Sequence, residues 1–307
     1  MVAGGVLSVE TAWQAINHET VLILLGMMIL NVFLEDAGFF EWVARWILAR
    51  NAPPARMLVE LALVSGLLSA LFLNDTVCLM LTPPLVRILK AGGWPLTPFL
   101  VTLAMSANAG SVMTLTGNPQ NMLIGVYSGW SYLAFLSRLL LPGLVGLGIL
   151  CVWVLWCYRD QLRTIRRVEP PQFVENLPAI DLPLLRKTMV VLTGTLVGFL
   201  ALPDLPLVAM TGAALLLVVS GKSPTAVLAR VNWVLLAFFA GLFIVVEGFR
   251  STGVLERLNE LAGPWYGTTA ATQVPLFGAV TVIASNVVSN VPFVVLMEHE
   301  LDRFVNP

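Results

Sequence analysis

The sequence predicts an all-α polytopic membrane protein, built from inverted repeats with two opposed re-entrant hairpins and a discontinuous helix. The first observation is composition: 58% of the 307 residues are hydrophobic and only 11% are charged, whereas soluble domains carry about 25% charged residues. The second observation is that no lysine or arginine occurs before Arg45. The third is that several apolar segments are interrupted by polar residues near their centres. Long, nearly uncharged segments are typical of a chain that crosses a bilayer repeatedly.

The charge balance also excludes several function classes. A net charge of -1 gives no basic stripe, so we predict no nucleic-acid partner. Two histidines, His18 and His299, are too few for a usual zinc site. An intramembrane enzyme would need a pair of deep catalytic groups, and Asp75 is the one good deep acid. We therefore predict a protein that is not an enzyme.

The first predicted elements are a membrane span and an interfacial helix. Residues 20–34 form an apolar run that reaches Glu35 without a basic residue. Residues 39–48 then combine apolar side chains with Glu41 and Arg45. This amphipathic pattern is typical of a helix that lies in the membrane interface.

The next apolar segment, 57–89, predicts the first hairpin. As one helix its 33 residues would be roughly 50 Å long, too long for a hydrocarbon core of about 30 Å. Asn74, Asp75 and Thr76 interrupt it, and each arm is somewhat short for a full crossing. A re-entrant hairpin with these three residues at its tip fits better than two spans.

A second interrupted segment, 99–127, predicts the discontinuous helix. Its interruption combines residues that break a helix and restart it: Thr116, Gly117, Asn118, Pro119, Gln120 and Asn121. Glycine permits an unusual turn, asparagine can cap a new helix, and proline fits the first helical position. A mere kink in a packed helix is the competing interpretation.

The rest of the chain predicts one span, a linker and a second set of elements. The linker is polar and contains Pro170, Pro171 and Pro178. The last apolar segment is interrupted by polar residues, which predicts a second hairpin. In order, the elements are a span at 132–158, a linker at 159–187, spans at 189–201, 205–220 and 233–246, an interfacial segment at 256–260, and an apolar segment at 272–297 with Ser289, Asn290, Val291 and Pro292 at its interruption.

The distribution of cations predicts the orientation. If Arg45 is cytoplasmic and each predicted span crosses the membrane once, 13 lysines and arginines lie on the cytoplasmic side and 4 lie outside. This distribution agrees with the positive-inside rule. The first hairpin then enters from the cytoplasm and the second from outside. We expect a multi-pass protein of the inner (plasma) membrane with linker 159–187 in the cytoplasm. The four outside cations are Arg138, Arg250, Arg257 and Arg303.

The order of span, interfacial helix and hairpin occurs twice, upside down the second time. This predicts repeats at 1–158 and 188–307, an arrangement found in transporters. The partner of Asn118 would be residue 334, so we expect the second repeat to be incomplete at the C-terminus and a helix to precede residue 1. An offset of 215 pairs Asn17 with Asn232, Gly26 with Gly241, Ile29 with Ile244 and Gly38 with Gly253, and an offset of 216 pairs Asn74 with Asn290.

Interrupted helices predict ion binding. The break frees backbone carbonyl groups, which suit Na⁺, and a new helix N-terminus, which suits an anion. Asp75 could hold a cation or exchange a proton, and its competing role is to cap the second hairpin arm. We predict Na⁺ at Asn74, Asp75, Asn118 and Asn290.

Taken in order, these motifs resemble the ion transporter superfamily of arsenite permeases, NhaD-type sodium/proton antiporters, and citrate and divalent-anion symporters. The resemblance implies two hairpins, unwound helices, an elevator-like movement and a homodimer. It places substrate and ion at both hairpin tips and the unwound helix. The residues that carry it are Gly26-Met27-Met28, Gly38-Phe39-Phe40-Glu41-Trp42, Leu73-Asn74-Asp75-Thr76, Thr82-Pro83, Thr116-Gly117-Asn118-Pro119-Gln120-Asn121 and Ser289-Asn290-Val291-Pro292.

The predicted function is secondary active transport of a small anion or Na⁺, coupled to Na⁺ or H⁺, by alternating access around two hairpin tips and an unwound helix. No cofactor is expected beyond the coupling ion. The alternative is a non-transporting membrane scaffold, or a fragment that needs a partner chain. An acid beside the first tip resembles the arsenite and sodium/proton branches more than the dicarboxylate branch.

Overall fold

The computed structural model of the chain describes residues 1–2, 4–48, 52–165, 180–254, 257 and 269–297. Every regular element among these residues is helical. Six of the described helices are long and apolar enough to cross a bilayer, and large apolar side chains such as Leu141, Ile149 and Val152 are exposed along the longest of them. The prediction of an all-α polytopic membrane protein is confirmed.

The helices follow the apolar segments of the sequence closely. Helix starts at Ser8, Asn17, Ser131, Asp181, Asp204 and Asn232 are capped by the side chain of that residue, as short polar residues favour. In chain order the described helices are α1 (Val9–Gln14), α2 (His18–Asp36), α3 (Phe39–Leu48), α4 (Pro54–Leu71), α5 (Asn74–Ala91), α6 (Leu96–Ser111), α7 (Pro119–Ser128), α8 (Tyr132–Cys157), α9 (Arg159–Thr164), α10 (Leu182–Ala201), α11 (Leu205–Val219), α12 (Pro224–Leu228), α13 (Trp233–Arg250), α14 (Ala270–Val288) and α15 (Asn290–Met297).

The chain forms two compact units. The larger unit comprises Leu22–Gly125 and Trp130–Val231, and the smaller unit comprises Met1–Val21, Val126–Gly129 and Asn232–Pro307. The larger unit continues past the predicted linker and includes α10 and α11. These units are defined by packing and not by repetition, so the repeats at 1–158 and 188–307 stay a prediction.

The centre of the larger unit is the packing of α4 against α6. Small residues allow it, because a Cβ atom added to Gly110 would overlap the backbone of Gly66. One turn away, the hydroxyl groups of Ser65 and Ser106 are 2.6 Å apart and hydrogen-bonded. Close approach at small residues, reinforced by a hydroxyl pair, is how membrane helices commonly associate. This contact fixes the helix that leads into the hairpin beside the helix that leads into the break.

Helix α3 is amphipathic, as its sequence predicts. Phe40, Val43 and Ile47 are buried, and the helix packs on α4 and α5. On its other side Trp42 and Trp46 are 42% and 37% exposed, where tryptophan suits a membrane interface. The apolar face therefore covers the hairpin helices while the tryptophans face outwards.

The first hairpin differs in detail from the prediction. Helices α4 and α5 are 18 residues each, which is longer than the predicted arms, and α4 is long and apolar enough to cross a bilayer. The break is at Phe72 and Leu73, and Asn74 to Thr76 form the first turn of α5 instead of an interruption. The cap residue is Leu73, so Asp75 is not the N-cap; a carboxylate in the first turn instead stabilises the helix dipole. A hairpin that turns back inside the bilayer stays a prediction.

The second interrupted segment lies in the smaller unit and is also displaced. Helix α14 ends at Val288, the break is Ser289 with φ of +81°, and Asn290 to Pro292 begin α15. Proline fits this first turn because its missing N–H would have no helical partner there. The interruption therefore consists of one residue, Ser289, whose positive φ is in the left-handed region of backbone conformation.

The predicted linker 159–187 is not a loop at its ends. Helix α9 occupies its beginning, and α10 begins at Leu182, so its last six residues are helical. The Asp181 carboxylate accepts a hydrogen bond from the Leu184 backbone N–H at 3.0 Å. Because of this cap, α10 begins before the apolar segment that predicted it. Residues 166–179 lie outside the described residues, as does the predicted interfacial segment 256–260 except Arg257.

Two pairs of positions related by the offset of 215 share local geometry. The side chains of Asn17 and Asn232 each accept a hydrogen bond from the backbone N–H three residues later, at 2.9 and 3.0 Å. Gly38 and Gly253 follow the ends of α2 and α13 with φ of +74° and +70°, a region that favours glycine. The same start and stop signals therefore bound both helices, which supports the predicted repeat.

Candidate functional site

The interrupted helix of the larger unit is the first component of the candidate site. Helix α6 ends at Ser111, a single 3₁₀ turn covers Leu115–Gly117, and α7 begins at Pro119. The break therefore starts earlier than the sequence indicates and places Gln120 and Asn121 inside the new helix. Gln120 is half-buried at its N-terminus. The predicted discontinuity of this helix is present.

Asn118 caps the restarted helix. Its side-chain oxygen accepts a hydrogen bond from the Asn121 backbone N–H at 2.8 Å, and its side-chain nitrogen donates to the Ser111 hydroxyl at 3.0 Å. Pro119 follows, buried, at the first helical position, where its fixed φ favours a helix start. Asn118 thus closes the break by bonding to both of its ends.

The side chain of Asn121 forms hydrogen bonds to the backbone carbonyl groups that lose their helical partners at the break. Its side-chain nitrogen donates to the carbonyl oxygens of Ser111, Val112 and Thr114 at 2.9, 3.3 and 2.7 Å. The sequence predicted that such carbonyls would be left for Na⁺. The two N–H bonds of this side-chain amide serve all three carbonyls, with one hydrogen shared between two of them, and the role of Asn121 in the structure is to hold the break together.

Thr116 and Gly117 line the tightest part of the break. A Cβ atom on Gly117 would overlap the carbonyl group of Ser111, so no other residue fits without moving the backbone. The Thr116 hydroxyl is 3.1 Å from the Tyr132 hydroxyl, and the Tyr132 ring stacks on Phe199 at 5.5 Å between centroids. The break is therefore packed against α8, which in turn contacts α10.

The structure brings the end of the first hairpin to this break. The Asn74 side-chain nitrogen donates to the Asn108 side-chain oxygen at 2.9 Å, which links α5 to the last turn of α6. The Thr114 hydroxyl donates to the Ala70 carbonyl at the end of α4. The first hairpin and the helix break, which were predicted separately, are therefore joined by hydrogen bonds.

Helix α2 reaches the same place. The Asn31 side-chain nitrogen donates to the Thr76 hydroxyl at 3.2 Å. Asp75, between Asn74 and Thr76, is exposed at the protein surface. The first turn of α5 therefore offers a carboxylate, an amide and a hydroxyl group that face different neighbours.

Three side-chain oxygen atoms on α2, α4 and α5 are buried without a hydrogen-bond partner among the described residues: Asn31 Oδ1, Ser69 Oγ and Asn74 Oδ1. Leaving such an atom unpaired costs about 1–3 kcal/mol, and an ion or a water that fits there is the usual explanation. Oxygen ligands of this kind suit hard cations.

Sequence reasoning missed Asn31, Ser69 and Asn108. A signal was present for Asn31, since a single asparagine near the middle of an apolar span is costly and commonly functional. Ser69 and Asn108 carry no comparable signal, because serine and asparagine among small residues are ordinary at helix contacts. Only their neighbours in the fold distinguish them.

The second hairpin residues belong to the smaller unit. Ser289 and Asn290 are exposed, Pro292 is half-buried and Val291 is buried at 8% exposure. Upstream, Ser285 and Asn286 bond to the Val282 carbonyl of their own helix. A single site shared by both hairpin tips and the break stays a prediction.

Comparison with known proteins decides the family. The profile of the citrate transporter family (CitMHS) matches residues 1–301. The chain belongs to the citrate transporter family. A protein of Mycobacterium tuberculosis described as an uncharacterized transporter is 33% identical over 97% of the chain and 72% of its own length. The silicon efflux transporter LSI3 of Oryza sativa is 28% identical over 98% of the chain and 74% of its own length.

This member of the citrate transporter family is a membrane transporter and not an enzyme, and the predicted resemblance to the ion transporter superfamily is confirmed. A further relative, a transporter named arsB in Dictyostelium discoideum, is 28% identical over 54% of the chain and 29% of its own length. The family membership places the protein in a lipid bilayer and the substrate among small molecules.

Proposed function

We propose that the protein is a secondary active transporter of a small anion, coupled to Na⁺ or H⁺ and working by alternating access. The observation that carries this proposal is the hydrogen-bonded link, within the larger unit, between the start of α5 at Asn74 and the helix break that ends at Asn118. Polar backbone at membrane depth is tolerated where it lines a cavity or is buried in protein. Broken helices of this kind are where transporters bind substrate and coupling ions.

A new helix begins both after the turn of the first hairpin and after the helix break. Helix α5 begins at Asn74 and α7 begins at Pro119, and the N-terminus of each helix carries a partial positive charge. Anions bind readily at such positions. The two N-termini supply the attraction for an anion that a lysine or arginine would supply elsewhere.

The coupling ion has a candidate position in the first turn of α5. Asp75 carries the negative charge, and the unpartnered oxygens of Asn74 and Ser69 lie within six positions of it along the chain. An acid in such an apolar segment is a functional candidate by default. A cation held beside the helix N-terminus would also offset the charge of an anionic substrate.

For the substrate we propose a small oxyanion or its protonated acid. The family is named for citrate, one relative is a silicon efflux transporter, and the motifs of the sequence resemble those of arsenite permeases. Citrate, silicic acid and arsenite are therefore the first compounds to compare.

Transport into proteoliposomes tests the proposal. The purified chain is reconstituted, and uptake of radiolabelled citrate, silicic acid, arsenite and phosphate is followed with an imposed Na⁺ or pH gradient. We expect one compound to accumulate with one gradient, and Asp75→Asn to lower that uptake by at least tenfold while the protein stays folded. Asn118→Ala should lower it too, because the cap of α7 is lost.

A matched control is Asp160→Asn, which removes an acid from the exposed helix α9. It should leave uptake unchanged. If no compound moves under either gradient although the protein is folded, or if Asp75→Asn transports as well as Asp160→Asn, the proposed transport mechanism is wrong.

We further propose that the protein acts as a homodimer in the inner (plasma) membrane with linker 159–187 in the cytoplasm. The larger unit supports this orientation. Arg230 pairs with Glu35 and Asp36, and the Asp181 backbone N–H donates to the Ala37 carbonyl at 3.2 Å. The positive-inside topology assigns all these residues to the cytoplasmic side.

A further inference from the structure

A cavity in the smaller unit has no part in the transport mechanism proposed above. Its volume is about 490 Å³, and it lies where the last turns of α13 meet α1 and the segment between α1 and α2. Cavities of this size commonly hold small organic ligands. Its lining contains both an acid and a base, Glu247 and Arg250, which are partly exposed and joined by a hydrogen bond of 3.4 Å.

The larger unit fills the corresponding place with an ion pair, between Arg230 and Glu35. The offset of 215 that relates the helix ends leads from Arg230 back to Ala15 and from Glu35 forward to Arg250, and both of these residues line the cavity. The smaller unit therefore has an alanine in place of the long cation and a cation in place of the acid. The same pair cannot form, so the space stays open and Arg250 bonds to Glu247 of its own helix.

We propose that this cavity binds a small zwitterion with an apolar body, of the α-amino acid class. Arg250 has N–H groups beyond the one that bonds to Glu247, and a guanidinium group can bind a carboxylate through two parallel hydrogen bonds. That bond uses one oxygen of Glu247, so the other oxygen can accept a hydrogen bond from an ammonium group.

The charges in the lining favour a zwitterion over a simple anion. An anion on Arg250 would meet the Glu247 carboxylate, which is 3.4 Å from the guanidinium group, and like charges this close repel each other. A simple cation on Glu247 would be repelled by Arg250 in the same way. A zwitterion brings an opposite charge to each partner, and Phe243, Val246 and Val295 are buried at the cavity wall, where they offer an apolar surface to the rest of the ligand.

The site is distinct from the first hairpin and the helix break, since its lining comes from α1, α13, α15 and the segment between α1 and α2. Val295 belongs to α15, the helix that begins at Asn290 of the predicted second hairpin, so a ligand in the cavity lies against that helix. The inference goes beyond the proposed function, because binding here can be measured whether or not the protein transports.

Isothermal titration calorimetry of the purified chain in detergent tests the ligand class. The probes are leucine, isocaproate, which is leucine without its ammonium group, and isoamylamine, which is leucine without its carboxylate. We expect leucine to bind, and each of the other two to bind weaker by about tenfold or more, because one charged hydrogen-bonded contact is lost. If leucine does not bind, or if either of the other probes binds as tightly, the inference is wrong.

Three variants test the location. Arg250→Gln and Glu247→Gln should each weaken leucine binding by about tenfold or more, since each removes one charged partner. Ala15→Phe keeps both charges but fills the cavity, so it should abolish binding. The matched controls are Arg257→Gln and Glu19→Gln, which remove an exposed cation and an exposed acid of the same unit that do not line the cavity, and they should leave the affinity unchanged.

Leucine binding to Arg250→Gln as tight as that to Arg257→Gln overturns the inference. Wild-type affinity in Ala15→Phe overturns it as well, since the ligand would then lie elsewhere. If Arg250→Gln does not fold, Ala15→Phe decides, because both charged partners are intact in that variant.

Discussion

At the scale of single residues, hydrogen bonding makes Asn121 the residue that holds the helix break. Its amide group donates to three carbonyl oxygens that have left the helical pattern. Backbone carbonyls buried without a partner are costly, and the cost is greater where no water reaches. The break can exist in an apolar segment because this one side chain compensates for the lost helical bonds.

We expect Asn121→Leu to destabilise the protein by about 2–4 kcal/mol, because a similar volume is kept while three carbonyls lose their donor. Denaturant unfolding in detergent, followed by tryptophan fluorescence, measures this difference. Gln120→Leu is the matched control, since Gln120 is the half-buried neighbour in the same helical turn. Equal midpoints for the two variants would contradict the assigned role.

At the scale of helices, the contact of α4 with α6 sets the distance between hairpin and break. Helix α4 ends in the hairpin and α6 ends in the break, so the position of Asn74 relative to Asn108 depends on how closely the two helices approach. Gly66 and Gly110 permit a backbone contact that any side chain would prevent. Because α4 and α6 approach each other this closely, the first hairpin and the helix break can form hydrogen bonds with each other.

Gly110→Ala should therefore destabilise the protein by about 1–3 kcal/mol and weaken transport, because the helices must separate. Gly148→Ala in α8 is the control: an added Cβ atom there has no neighbour within 4 Å, and alanine favours a helix by about 0.5–1 kcal/mol. Thermal unfolding of the two variants gives the comparison. A Gly110→Ala protein as stable as Gly148→Ala would show that the close contact is not needed.

At the scale of the whole molecule, the orientation in the membrane is the property with the widest consequences. The cation count predicts which loops face the cytoplasm. Within the larger unit, Lys187 donates to the Val219 carbonyl at 2.8 Å, and Arg230 pairs with Glu35 and Asp36. Each contact joins residues that the predicted topology assigns to one side.

Cysteine labelling in a background without native cysteines tests the topology on both sides of α11. Pro203→Cys should react with a membrane-impermeant maleimide in right-side-out vesicles, and Ser223→Cys should react only in inverted vesicles. Both positions are exposed and flank the helix. Labelling of both from the same side would mean that α11 does not cross, and the reverse pattern would invert the orientation.

The sequence by itself determined the class of protein and the places where the chain is interrupted. Asn118 and Pro119 carry local signals, because capping and helix starts depend on neighbours in the chain. For the same reason the boundaries of α8 and the amphipathic α3 were predicted closely. The first hairpin was located but shifted, since Asn74 to Thr76 suit both a loop and a first helical turn.

The tertiary structure decided which polar groups meet. Asn31 and Thr76 are 45 positions apart, and Asn74 and Asn108 are 34 apart, so no local pattern relates them. It also decided that Asn121 binds the freed carbonyls, which the sequence had left to an ion. The physical reason is that helix formation depends on near neighbours, whereas pairing of buried polar atoms depends on which helices pack together.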